Sequence, residues 1–96
     1  MNQQQMMRLK KMQKQMMEAQ EKLESSEFVG TAGGVVSVTV KGNHEVVKVS
    51  IDKEAIEDDL EMVEDMLCLA LNDANKKIEA ESQKLLGGFG GLGLGF

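Results

Sequence analysis

The chain contains no tryptophan and no tyrosine, and two of its three phenylalanines, Phe89 and Phe96, fall among terminal glycines. Large core fillers are therefore scarce in a chain of 96 residues. A domain of that size buries only about 60–70% of its unfolded surface, so association is a common remedy. Cys68 is the only cysteine, which excludes a disulfide within the chain; its place in an apolar run reads as a small buried thiol. The N-terminus lacks the apolar core of a signal peptide, and no apolar run approaches the ~20 residues of a membrane span. A single, reduced, cytoplasmic, soluble domain with no membrane partner is expected.

Chemistry is equally sparse. His44 is the only histidine, so a catalytic triad or a histidine-based zinc site lacks its partners. The acids Glu57, Asp58, Asp59, Glu61, Glu64 and Asp65 lack the ligand spacing and central glycine of a calcium loop and read as a solvated helix face. Gly88 to Gly93 spells G-x-G-x-x-G, but after a helix instead of a strand. No enzyme, cofactor, metal site or small-molecule substrate is expected.

What is present is helix. Residues 2–25 hold no glycine, proline or β-branched residue, and Leu9, Met12, Met16, Ala19 and Leu23 form a heptad seam. A helix over these residues reaches about 36 Å, long against so small a domain. An arm held by one stripe and projecting from the core is expected. Phe28 to Thr31 is a short extended piece, and Gly33-Gly34 breaks the chain. Residues 35–51 alternate as a hairpin about Gly42-Asn43, a glycine-first loop that suits a type II′ turn. That loop pairs Lys41 with His44, Val38 with Val47 and Val36 with Val49, and puts Val36, Val38, Val47, Val49 and Ile51 on one face.

The second long helix, over 53–86, has too many apolar residues for one face. Asp52 suits a short first turn, Asp58 with Glu61 suits the start of the main helix, and Gly87-Gly88 its stop. At 100° per residue, Leu60, Val63, Leu67, Ala70, Leu71, Ala74 and Ile78 form one stripe, and Met62, Met66 and Leu69 a second on roughly the opposite side. The chain's own sheet covers one, so a second copy is expected to cover the other. The expected dimer interface is Met62, Val63, Met66, Leu67, Leu69 and Ala70.

Net charge is −5, unevenly spread: residues 1–17 carry Arg8, Lys10, Lys11 and Lys14 with no acid, against seven bases and sixteen acids beyond. A basic element displayed on an acidic body suits a solvated face, a partner surface or phosphate contacts. No aromatic accompanies the lysines, so a helix along duplex backbone is the better nucleic-acid geometry.

Several strings resemble the YbaB/EbfC family of bacterial nucleoid-associated proteins. They are Met6-Met7-Arg8-Leu9-Lys10-Lys11-Met12-Gln13; Gly30-Thr-Ala-Gly33-Gly34 before Val36-Ser-Val-Thr-Val; Gly42 at the turn; Val49-Ser-Ile51-Asp52; Glu57 to Asp65; Leu71-Asn72-Asp73-Ala74; and the glycine-rich tail. They run through the whole chain in order. The resemblance implies an α+β fold of helix, three-stranded antiparallel sheet and long C-terminal helix, paired as a tight homodimer. The second long helix would form the dimer core and the first would supply projecting arms. It also implies duplex DNA binding, nucleoid organisation and gene regulation. Arg8, Lys10, Lys11 and Lys14 would be the phosphate contacts; Lys76, Lys77 and Lys84 come second, since they already suit a helix C-terminus. Residues 1–86 would be one dimerising domain (1–25 arm, 28–51 sheet, 53–86 second helix) and 87–96 a flexible tail. The alternative is a protein-binding adaptor that uses the Met-rich first helix and the apolar tail.

Overall fold

The computed structural model describes residues 2–90. Helix α1 spans Gln3–Ser25, strands β1 to β3 span Glu27–Ala32, Val36–Lys41 and Val46–Ile51, short helix α2 spans Lys53–Asp58, and α3 spans Leu60–Gly90. The expected α-β-β-β-α order is present, with the sheet antiparallel in the order β1-β2-β3. Each boundary has a local cause. Asn2 caps α1 by accepting the Gln5 N–H at 2.9 Å, and Ser26 closes it by donating its own N–H to Lys22 and Leu23 carbonyls.

The second helical stretch is divided. Asp59 is extended (φ −153°, ψ 92°), and its carboxylate accepts the Met62 N–H at 3.1 Å. It thereby caps α3, one residue beyond the expected Asp58, while Asp52 caps α2 through the Glu54 N–H at 3.1 Å. At the other end α3 runs to Gly90, past the expected stop at Leu86. Glycine weakens a helix by only about 1 kcal/mol per residue but keeps its N–H, so an established helix can propagate through it. Residues 91–96 of the expected flexible tail lie outside the described residues.

The β2–β3 hairpin corrects the expected register. Its loop is three residues, not two: His44 donates its N–H to Lys41 O at 2.8 Å, and Lys41 donates its own to Glu45 O at 2.8 Å. His44 takes the positive φ (72°), as in a type I turn closed by a left-handed residue. Val40 then pairs with Val46, Thr39 with Lys48, Val38 with Val49 and Val36 with Ile51, leaving Val47 as a bulge. One slip would have turned β3 over; two restore the faces, so Val49 and Ile51 still share a side with Val38 and Val36.

The core lies between α3 and the first two strands. Val36, Val38 and Val40 of β2 are buried with Ala55, Val63, Ala70, Ala74 and Ile78. A Cβ on Gly30 would lie 2.0 Å from the Ala70 carbonyl oxygen and 2.6 Å from the Ala74 nitrogen. Glycine on β1 facing two alanines on α3 thus brings strand and helix into close contact. The free edge of β1 is closed by α3 as well: Asp73 accepts the Thr31 N–H at 3.1 Å, and Lys77 donates to the Val29 carbonyl at 2.6 Å. Because α3 lies across β1 and β2, the far edge strand β3 stays uncovered, with Val46, Val47 and Val49 all exposed. Cys68 is exposed too, not buried; it points off the flank of α3, away from the stripe that meets the sheet.

Candidate nucleic-acid interface

The C-terminal end of the first helix is tied to the β2–β3 hairpin, and the helix also meets α3. Gly42 donates its N–H to Ser26 O at 3.0 Å, and Asn43 donates to Glu24 O at 3.3 Å. A Cβ on Gly42 would lie 1.9 Å from the Leu23 carbonyl oxygen. The turn glycine expected for a positive φ is needed instead for this close approach. His44, beside it, meets Asn75 of α3 through Nδ1 at 3.2 Å. Outward from that anchor, Leu23, Ala19, Met16 and Met12 are half-buried, while every residue from 2 to 11 is exposed, Leu9 included. Four of the five expected seam residues therefore pack, and the outer turns of α1 project. The molecule measures 68 × 21 × 14 Å with a radius of gyration of 19.0 Å, against about 12–13 Å for a compact domain of this length.

Arg8, Lys10 and Lys11 sit on that projecting part, and Lys14 follows between the half-buried Met12 and Met16. All four are exposed, and none forms an ion pair among the described residues. The second-rank bases lie elsewhere. Lys77 is held by Val29 and by Asp73 at 3.4 Å, and Lys84 pairs with Glu81 at 3.3 Å. Lys76 is exposed beside Leu69, Asn72 and Glu79. Asp73 titrates below the usual aspartate range, first because it accepts the Thr31 N–H and then because Lys77 lies beside it.

A cleft of about 520 Å³ opens where α1 meets the end of α3, lined by Ala19, Leu23, Phe28 and Leu85 together with Lys22, Lys84 and the acids Glu27 and Glu81. Lys22 was not singled out from the sequence. Its only signal was its position next to the seam residue Leu23. Among the described residues no three metal-binding side chains converge, and no helix is long and apolar enough to cross a membrane.

The sequence and the fold are similar to those of known proteins. Residues 1–93 match the YbaB/EbfC DNA-binding family. The chain belongs to that family. A protein of Lachnospira eligens named as a nucleoid-associated protein is 55% identical over 82 residues, covering 79% of this chain and 71% of its own. The crystal structure of an uncharacterised protein from Helicobacter pylori superposes with a TM-score of 0.75 at 31% identity, covering 93% of this chain and 97% of the other.

Within this YbaB/EbfC chain the six expected interface residues fall into different environments. Val63 and Ala70 are buried in the chain's own core. Met62, Met66 and Leu67 are half-buried against it, with Met66 folded over the Gly33 turn. Leu69 alone is largely open, at 54%. Long, flexible methionine side chains reach round to the sheet from positions the helical wheel places off it. Leu60, by contrast, was expected in the core stripe and is exposed, because α3 begins there after the break at Asp59.

Proposed function

We propose that this chain is a non-enzymatic, nucleoid-associated protein that binds duplex DNA as a homodimer and contributes to nucleoid organisation and gene regulation. Arg8, Lys10, Lys11 and Lys14 hold phosphates, with Lys76 and Lys84 as weaker contributors and Lys77 reserved for β1. The observation that carries this reading is four exposed cations without ion-pair partners on the outer half of a projecting helix, with the acids set behind them. An acidic body repels a phosphate backbone and leaves the arm as the surface able to approach it. Pairing is supported by the elongated shape and by Leu69, Val46 and Val49, which one copy leaves in water.

Fluorescence anisotropy on a duplex at several salt concentrations tests the proposal. If a dimer engages about 4–8 phosphates, log affinity falls against log salt with a slope of roughly −4 to −7. Replacing Lys10, Lys11 and Lys14 by Glu abolishes binding while circular dichroism stays unchanged. Absence of duplex binding at low salt would overturn it. The exposed Met6, Met7 and Met17 favour a second reading, a protein-binding adaptor. In that case the triple substitution leaves partner capture intact and duplex binding is absent from the outset.

A further inference from the structure

Phosphate contact explains the cations of the arm but not the residues that share their face. Lys10, Lys11 and Lys14 follow Met7 at i+3, i+4 and i+7, and Gln3 and Gln4 precede it by one turn. Residues so spaced stack on one side of a helix. All six are exposed, Met7 at 69% more than any other large apolar residue described. This face lies opposite the half-buried Met12, Met16, Ala19 and Leu23, and its first acid is Glu18, one turn beyond Lys14. This face of α1 therefore carries two amides and a thioether towards its tip, with three ammonium groups behind them.

A helix about 10–12 Å across fits the major groove, about 12 Å wide. There an amide side chain can pair with adenine N6 and N7, and an apolar side chain can pack on the thymine 5-methyl group. Lysines one and two turns back would then meet the groove's phosphates. The minor groove, about 6 Å wide, does not admit a helix.

We propose that the first two turns of α1 enter the major groove and read A·T pairs, Gln3 and Gln4 at adenine and Met7 on the thymine methyl, while Lys10, Lys11 and Lys14 hold the backbone. This rests on the DNA-binding reading above and adds base readout to it.

Anisotropy titrations of the full chain against four duplexes of equal length test it: alternating A·T, the same with deoxyuridine for thymidine, the same with 7-deazaadenine for adenine, and G·C. Deoxyuridine removes only the methyl group, so affinity drops about fourfold for each methyl engaged. The loss is absent in Met7→Ala. 7-Deazaadenine removes the N7 acceptor and weakens wild type roughly tenfold, an effect lost in the Gln3→Ala/Gln4→Ala variant. Equal affinity for all four duplexes overturns base readout and leaves the phosphate grip standing. Uracil sensitivity that persists in Met7→Ala overturns the assignment of Met7. No binding to any duplex overturns both proposals.

Discussion

Gly30 and Gly34 are both glycines near the β1–β2 turn, and they are needed for different reasons. A methyl at Gly30 meets backbone of α3, the Ala70 oxygen at 2.0 Å and the Ala74 nitrogen at 2.6 Å. Backbone of a packed helix cannot rotate away, so Gly30→Ala pushes α3 off the sheet at a cost of about 1–3 kcal/mol or more. A methyl at Gly34 meets nothing, but the residue holds φ +70°, a conformation that costs other residues about 1–2 kcal/mol. Urea denaturation of the two variants is expected to rank Gly30→Ala as the more damaging, with a slope unlike that of wild type if the strand and helix separate. The sequence marked Gly33-Gly34 as a break because paired glycines signal a turn. It gave no sign that Gly30 and Gly42 serve close approach, since that need comes from atoms some 40 positions and 19 positions away along the chain.

The element most dependent on one ionisable pair is β1. Its outer edge is held by the Asp73 carboxylate and the Lys77 ammonium, which take the places of a missing strand's C=O acceptor and N–H donor respectively. Because the Asp73 carboxyl titrates below its usual range, folding favours its charged form. Its contribution is complete above the ordinary aspartate range and disappears as pH falls through the depressed folded value. Asp73→Asn is therefore expected to be less stable than wild type at neutral pH, and the two denaturation curves should converge in acid. A gap that stays constant with pH would mean that the carboxylate's charge contributes nothing. On the opposite edge, β3 has no such cover; the bulge at Val47 and the exposed Lys48 are the features that keep it from pairing at random.

For the whole molecule, the decisive quantity is how much apolar surface one copy leaves open. Leu69 is 54% exposed, so in a single copy Leu69→Asp replaces a half-wetted side chain and changes stability little. In a dimer that closes over it, the same change buries an unpaired charge. Sedimentation is expected to give a dimer for wild type and a dissociated or unfolded chain for Leu69→Asp. A wild-type chain that sediments as a folded monomer, or a variant that dimerises as before, removes the pairing surface from α3. Val63→Asp is no substitute, because Val63 is buried within the chain itself and its loss would unfold either form.

Much was decided along the chain alone. Two long helices, an antiparallel sheet between them, a basic N-terminal segment on an acidic remainder and the half-buried seam of α1 follow from local propensity, periodicity and charge, which need no distant partner to be read. Tertiary structure decided which strands α3 covers, so that β3 was left open and Met62 and Met66 turned back to the core. It also decided the register of the second hairpin, where docking of Gly42 onto the end of α1 outweighed the turn type its dipeptide favours. Those outcomes depend on backbones meeting at van der Waals distance, a relation that exists only once the elements are placed in space.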